Sequence, residues 1–378
     1  MTDTRFRCIQ SAAVAALLTF SIAPTTHAQQ PTGWISNGHV SAYTLKPGEF
    51  ELSGSALQVN DTIDFLNLRD DLLSGNSRLI DNSGDLSGTR GELRLGVWKG
   101  LELFYSRQQQ DMTLKINPSS RANIIDLDDQ LETTSTRWGA RFVVFESGSN
   151  RQDRASSSLA LQISRSENNS KAFGGFLQEL RFNANVVVTL DPPQYFSMDR
   201  LADDGWQSRL IYSTALGSNT TLSAWVGYGE SDASSGTSTE IDNSTIQDAF
   251  LQTFDLSEKQ YLAGFNLNFQ QIPRLPVQLG YEYLNISNRD QNIVSSNSSL
   301  LPSFLRGGNL ADSATSNHTA YGTVSWWATP HLYASLSGKV FRNQFVGIMP
   351  HFNNPLSASF SDTLYGFVEL KLGFKFIR

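Results

Sequence analysis

Apolar and polar residues alternate with a period of two along most of this chain of 378 residues. Between Val368 and Phe376 every even position is apolar, whereas every odd position is charged or glycine. Because successive side chains of a β-strand point to opposite faces, this period predicts strands with one apolar and one polar face. The pattern therefore favours an all-β fold.

The alternating stretches are long and even in number. Many run for ten or more residues, whereas strands of soluble sheets usually have about five or six. A tilted strand that crosses a bilayer needs about 9–11 residues, so this length favours membrane-spanning strands. Twelve strands are predicted; the alternative is fourteen, if 171–190 holds a further hairpin of the barrel. The twelve predicted strands are 48–59, 87–98, 101–115, 133–146, 156–166, 205–216, 220–230, 258–271, 275–287, 315–328, 331–344 and 362–377.

The segments between these strands fall into two length classes. The short ones are Lys99-Gly100, 147–154, Gly217-Ser218-Asn219, 271–274 and Ala328-Thr329-Pro330. The long ones, rich in Ser, Asn, Asp and Gly, are 60–86, 116–132, 166–204, 231–257, 288–314 and 345–360. Short periplasmic turns with long extracellular loops are typical of a closed antiparallel transmembrane β-barrel. A soluble sandwich or propeller, the competing fold, would have shorter strands and no such division of its turns.

In this pattern of strands and loops the chain resembles Gram-negative outer-membrane β-barrels of the porin-like kind, with twelve to fourteen strands. The resemblance covers nearly all of 38–378 and identifies no subfamily. The last strand, from Leu364 to Phe376, resembles the terminal strand that such proteins present to their barrel-assembly machinery. That strand usually ends on an aromatic residue, whereas here Ile377 and Arg378 follow Phe376. The resemblance implies a location in the outer membrane.

The N-terminus has the three parts of a secretory signal peptide. Arg5 and Arg7 form a basic region, an apolar stretch follows, and Thr26-His27-Ala28 offers a small-residue cleavage site. The predicted domains are a cleaved signal peptide at 1–28, a periplasmic N-terminal segment at 29–47 and the barrel at 48–378.

Composition excludes several function classes. The 29 Lys and Arg face 36 Asp and Glu, which gives a net charge of −7 and argues against nucleic-acid binding. The one cysteine, Cys8, lies in the predicted leader and precedes its apolar stretch, so we expect neither disulfides nor a lipoprotein anchor.

Charged residues on the polar face of the predicted strands must avoid lipid, where an Arg or Lys at the bilayer midplane costs about 2–4 kcal/mol. We therefore predict that they line a lumen, either as an internal ion-pair network or as an anion-selective strip around Arg94, Arg137 and Arg141. The predicted lumen-lining residues are Glu92, Arg94, Glu102, Arg137, Arg141, Arg209, Glu282, Lys339, Glu369, Lys371 and Lys375.

Tryptophans near the strand ends predict the two aromatic girdles of a membrane barrel. They are Trp98, Trp138, Trp206, Trp326 and Trp327.

An enzyme of outer-leaflet lipids is the alternative to a transport function. Such an enzyme would use a histidine with a Ser or a carboxylate, and His318, in a predicted strand near the outer rim, is the candidate. No catalytic residue, metal site or cofactor is assigned from the sequence. The predicted partners are membrane lipids, lipopolysaccharide and the assembly machinery. The leading prediction is a narrow channel for small polar solutes; a structural or surface-interaction barrel is the third alternative.

Overall fold

The computed structural model describes thirteen stretches of the chain, which cover part of the predicted N-terminal segment and most of the predicted barrel. The predicted signal peptide lies outside the described residues. The described stretches are 40–59, 80–81, 86–113, 115–116, 122–126, 130–148, 156–183, 186–198, 202–235, 237–239, 253–294, 316–342 and 364–377. Among them the structure has no helix long and apolar enough to cross a membrane.

Eighteen strands follow one another along the described residues. They are β1 (Phe50–Val59), β2 (Ile80–Asp81), β3 (Leu86–Trp98), β4 (Leu101–Thr113), β5 (Lys115–Ile116), β6 (Ala122–Ile125), β7 (Gln130–Ser147), β8 (Ser157–Ser170), β9 (Phe173–Asn183), β10 (Val186–Met198), β11 (Ala202–Ala215), β12 (Thr220–Ser235), β13 (Thr237–Thr239), β14 (Thr253–Phe269), β15 (Val277–Val294), β16 (Ser316–Trp327), β17 (Leu332–Arg342) and β18 (Leu364–Phe376).

Twelve of these strands close into one antiparallel barrel, in the order β1-β3-β4-β7-β8-β11-β12-β14-β15-β16-β17-β18. The first and last strands close it, with Phe50 opposite Phe376 and Gln58 opposite Val368. Closure gives every strand two hydrogen-bonded neighbours, which is what a sheet in hydrocarbon requires. The predicted all-β transmembrane barrel of twelve strands is confirmed.

The alternative of fourteen barrel strands is wrong. The segment 171–190 does contain parts of a hairpin, β9 and β10, but the hairpin lies outside the barrel. It belongs to a separate four-stranded sheet in the order β13-β10-β9-β6, built from segments between barrel strands. Period-two alternation predicted the strands correctly and gave no information about which sheet they join.

Alternating residues of each barrel strand face opposite sides. On β18, Leu370 and Leu372 are 51% and 64% exposed on the outer surface, whereas Glu369 and Lys371 between them are buried. The same alternation holds on β1, where Leu52 is exposed and Glu51 and Ser53 are buried. The apolar rows therefore form the outer surface, which in a membrane faces lipid, and the polar rows enclose a lumen.

Short turns join the strands at one end. Gly100 has a φ of 77° between β3 and β4, and Gly148 has a φ of 66° after β7. A side chain would strain the backbone at these angles, so glycine suits both turns.

Candidate functional site in the barrel lumen

The eleven predicted lumen residues all lie on barrel strands, at positions that alternate with the exposed apolar rows. Seven are buried in the interior: Arg94, Glu102, Arg141, Arg209, Glu369, Lys371 and Lys375. Four are half-buried: Glu92, Arg137, Glu282 and Lys339. The barrel gathers most of these charges into three connected groups.

The first group is centred on Glu102, which is fully buried. Its carboxylate accepts hydrogen bonds from Arg94 Nε at 3.0 Å and Arg94 Nη2 at 2.8 Å. Arg141 Nη1 lies 3.5 Å from the same carboxylate. Arg94 also donates from Nη1 to Glu51 at 3.1 Å, and the hydroxyl of Tyr333 donates to Glu51 at 2.6 Å. A paired arginine fork of this kind fixes both position and orientation.

The second group is centred on Glu92. Its carboxylate forms ion pairs with Arg90 on the same strand and with Lys371 on β18. Ser53 on β1 donates a hydrogen bond to it at 3.3 Å. Two residues further along β1, Ser55 donates a hydrogen bond to Glu369 on β18. Charges of both signs thus bridge β1, β3 and β18 across the seam where the barrel closes.

The third group lies on the opposite wall. Arg209 on β11 pairs with Glu282 on β15 at 2.9 Å, so this bond crosses two intervening strands. Trp225 Nε1 donates to the same carboxylate at 3.2 Å. These three groups form an internal ion-pair network, one of the two arrangements predicted for the lumen.

Arg137 and Arg141 are held mainly by neutral oxygen atoms. Arg137 Nη2 donates to Ser164 at 3.0 Å and to Gln207 at 3.2 Å. Arg141 donates from Nε and Nη2 to Gln162 Oε1, at 3.2 and 2.8 Å. Its Nη1 is buried without a hydrogen-bond partner. Arg137 and Arg141 are therefore less fully neutralised than Arg94 and Arg209, which donate hydrogen bonds to carboxylates.

A cavity of about 80 Å³ opens in the lumen beside these arginines. Its charged wall carries five arginines and two glutamates, namely Arg90, Arg94, Arg137, Arg141, Arg209, Glu92 and Glu102. A single water needs about 10–15 Å³ of such space, so this cavity holds several waters. The lumen is thus not filled by side chains at this level.

The chain before β1 also lies in the lumen, which the sequence pattern gave no reason to expect. We call residues 40–48 the inner segment. Ala42 and Leu45 are buried, and Val40 contributes to the wall of the cavity. Ala42 packs against Ala160, Ile211 and Trp225. These residues belong partly to the predicted periplasmic segment 29–47, whose remainder lies outside the described residues.

Polar side chains of the barrel bind the backbone of the inner segment. The amide of Ala42 donates to Ser213 Oγ at 2.8 Å, and Ser158 Oγ donates to the carbonyl of Ala42 at 3.3 Å. Asn266 Nδ2 donates to the carbonyl of Val40 at 2.7 Å. The amide of Leu45 donates to Glu102 at 3.0 Å, which connects the segment to the first ion-pair group.

A tight turn joins the inner segment to β1. Gly48 has a φ of 81° and donates its amide to the carbonyl of Gly96, while the Gly96 amide donates to the carbonyl of Glu49. A Cβ at Gly96 would lie 2.1 Å from the carbonyl oxygen of Lys46. Only glycine at position 96 lets the turn approach β3 so closely.

Three of the five predicted girdle tryptophans lie on the outer surface. Trp98, Trp138 and Trp206 are 71%, 48% and 42% exposed, and Trp326 is half-buried. Trp327 is 2% exposed and packs on Tyr333 inside the barrel, with ring centroids 4.8 Å apart. The prediction is wrong for Trp327, because consecutive strand residues face opposite sides and only one of the pair can face lipid.

His318, the candidate for lipid chemistry, contacts aromatic residues. Its Nδ1 lies 2.6 Å from the hydroxyl of Tyr281, and its ring lies 5.1 Å from that of Tyr283. Among the described residues these contacts pair His318 with tyrosines rather than with a serine or a carboxylate. No group of three His, Cys, Asp or Glu in the described ranges is arranged to hold a metal ion.

No protein-family model and no curated protein matches the chain. Solved structures do. The translocator domain of autotransporter NalP from Neisseria meningitidis is 8% identical, with a TM-score of 0.47, over 87% of this chain and 88% of that one. The Ralstonia pickettii toluene transporter TbuX is 10% identical, with a TM-score of 0.43, over 88% of this chain and 90% of that one. The outer membrane protease OmpT from Escherichia coli is 9% identical, with a TM-score of 0.35, over 88% of this chain and 97% of that one.

The chain forms a closed antiparallel transmembrane β-barrel of twelve strands. Its closed twelve-stranded sheet, apolar outer rows and ionic lumen are the features that support this statement. The function proposed next rests on the lumen of this chain.

Proposed function

We propose that this barrel provides a narrow passage for small polar solutes across the outer membrane, with the lumen charges setting its preference. The observation that supports this most directly is the cavity of about 80 Å³ inside a closed, charged wall. The cavity lies where the three ion-pair groups meet the inner segment.

Barrel size is consistent with a narrow route. Eight strands enclose a space that side chains fill, whereas 16–18 strands leave a water-filled channel. Twelve strands lie between these limits, and long Arg and Glu side chains occupy part of the added width here. The remaining space accepts small solutes and excludes large ones.

The charged wall also favours a hydrated interior. Ionic groups removed from water lose several kcal/mol each unless partners and hydrogen bonds compensate. Cations and carboxylates on this wall compensate one another only in part, since Arg141 Nη1 has no hydrogen-bond partner in the structure. Water and polar solutes in the cavity would supply the missing contacts.

The inner segment constricts the route. It lies beside the cavity, where two barrel side chains, Ser158 and Asn266, donate hydrogen bonds to its carbonyl groups and its amides donate to Ser213 and Glu102. Passage therefore depends on the space left beside this segment or on its displacement. Contacts with lipopolysaccharide and with the assembly machinery stay predictions.

Single-channel recording in planar lipid bilayers tests this function. The full chain, purified in detergent and shown to be folded by its heat-modifiable migration on gels, should give discrete conductance steps smaller than those of a 16-stranded porin recorded alongside. Repeated insertion of folded protein without any conductance step would contradict the proposal.

A further inference from the structure

Two arginines and a glutamine occupy one row across three neighbouring strands. Arg141 on β7 is directly opposite Gln162 on β8, and Gln162 is opposite Arg209 on β11. Glu102 on β4 completes the row beside Arg141. Arg137 lies on the same face of β7, four residues along the strand from Arg141 and on the wall of the same cavity.

The carboxylates of the lumen are shared unequally among these arginines. Arg94 donates hydrogen bonds to two of them, Glu51 and Glu102, and Arg209 donates to Glu282. Arg141 approaches one carboxylate, Glu102, at the longer distance of 3.5 Å. The hydrogen bonds of Arg137 and Arg141 go to Ser164, Gln207 and Gln162, all neutral. Arg137 and Arg141 thus form a region of net positive charge, which lies between the ion-paired wall around Glu92 and the ion pair of Arg209 with Glu282.

Arg141 gives the most direct sign of a missing partner. The residue is 6% exposed, yet its Nη1 makes no hydrogen bond, and the nearest carboxylate oxygen, on Glu102, is 3.5 Å away. Buried polar groups are almost always satisfied, so an exception at the wall of a cavity calls for an absent partner. The absent partner must be an acceptor, because every N–H of a guanidinium is a donor.

We propose that Arg137, Arg141 and Arg209 form a binding site for one small oxyanion, a carboxylate or a phosphate, inside the lumen. The proposal rests on the proposed function in that a solute must be able to enter the cavity. It adds the chemical class of the solute and the residues that bind it.

The choice of an oxyanion follows from arginine geometry. A guanidinium presents N–H donors in a planar fork that matches two oxygens of a carboxylate or a phosphate. A cavity of about 80 Å³ accommodates an anion of four or five heavy atoms in place of several waters. Glu282 holds Arg209 of the site in place, and Glu102 holds the neighbouring Arg94, so these two guanidinium groups are positioned before the anion arrives.

Isothermal titration of the detergent-solubilised full chain tests this site without any need for conduction. Sodium phosphate, sodium acetate and sodium chloride are titrated at constant ionic strength and pH. We expect saturable binding of one phosphate or one acetate per chain, and no saturable binding of chloride. Whichever of the two oxyanions binds more tightly shows whether the site prefers a carboxylate or a phosphate.

Single substitutions locate the site. Because each arginine donates charge-assisted hydrogen bonds to the anion, Arg137→Gln and Arg141→Gln should each weaken binding about tenfold or more. Arg141→Lys keeps the charge without the fork and should recover only part of the affinity. Arg165→Gln is the matched control: Arg165 pairs with Asp204, is exposed, and lies away from the cavity, so affinity should stay unchanged.

Two outcomes would overturn the inference. One is the absence of saturable oxyanion binding to folded wild-type protein, and the other is equal affinity in the wild type, Arg137→Gln and Arg141→Gln. Conductance without such binding would refute the oxyanion site and leave the passage standing. Binding without conductance would refute the passage and leave the site standing.

Discussion

Glu102 lies where the ion-pair network meets the inner segment, so Glu102→Gln should weaken both. The carboxylate accepts two hydrogen bonds from Arg94 and one from the amide of Leu45, and it forms a longer ion pair, at 3.5 Å, with Arg141. Glutamine has nearly the same shape but carries no charge, and its amide group would point a donor at one of the arginine donors. Arg141 would then have no charged partner among the contacts that the structure gives it.

The size of the effect follows from burial. Removing one partner of a buried ion pair typically costs about 3–5 kcal/mol, because the other charge stays buried without compensation. Glu102 is fully buried, and Arg94 and Arg141 are 8% and 6% exposed. The cavity admits water beside both arginines, so we expect the lower end, a loss of about 3 kcal/mol in the free energy of unfolding.

Urea unfolding in detergent micelles, followed by tryptophan fluorescence, measures this loss. Glu132→Gln serves as the control, since Glu132 pairs with Lys171 on the exposed outer part of the molecule. An exposed pair contributes about 0–1 kcal/mol, so the control should change little. A loss for Glu102→Gln no larger than that of the control would refute the claim that this buried carboxylate holds the lumen together.

Three further predictions concern the inner segment and the lipid-facing surface. In the double variant Ala42→Cys/Ser213→Cys, oxidation should lower single-channel conductance and reduction should restore it, because the two positions are in contact: the amide of Ala42 donates a 2.8 Å hydrogen bond to Ser213 Oγ. Equal conductance in both states, with the cross-link verified by mass spectrometry, would show that the segment does not move during passage. Gly96→Ala should raise conductance without changing any charge, because the added Cβ would lie 2.1 Å from the carbonyl oxygen of Lys46 and push the segment away; unchanged conductance would contradict this. Leu370→Arg should lower stability by about 2–4 kcal/mol in urea titrations in lipid vesicles, because position 370 faces lipid; a loss below about 1 kcal/mol would place it outside the hydrocarbon.

The barrel itself was predictable because two physical requirements, apolar side chains towards lipid and charged side chains away from it, determine the residue pattern of each strand. A strand between lipid and water must alternate, and Val368 to Phe376 does so at every position. Charges on the polar side must avoid lipid, so Glu102, Arg141 and Lys371 could be placed in the lumen before their partners were known. Such signals are local and need no knowledge of the other strands.

The partners of these charges were not predictable, because they depend on register and on distant parts of the chain. Lys371 meets Glu92 from a strand 279 residues away, and Asn266 meets Val40 across 226 residues. The inner segment has no periodic pattern, and its small residue Ala42 fits a place that only the closed barrel creates. The position of the hairpin in 171–190 likewise depends on a sheet outside the barrel.

Position-by-position lipid contact along β18 tests the central claim that ionic residues enclose a lumen and apolar residues face the membrane. Single cysteines are introduced from 368 to 374 in a Cys8→Ser background, labelled with a fluorophore, and reconstituted with lipids that carry a quenching group on the acyl chain. Strong quenching at positions 368, 370, 372 and 374, with weak quenching at 369, 371 and 373, is the predicted result. Quenching that does not alternate, or that is strongest at the odd positions, would contradict the barrel described here.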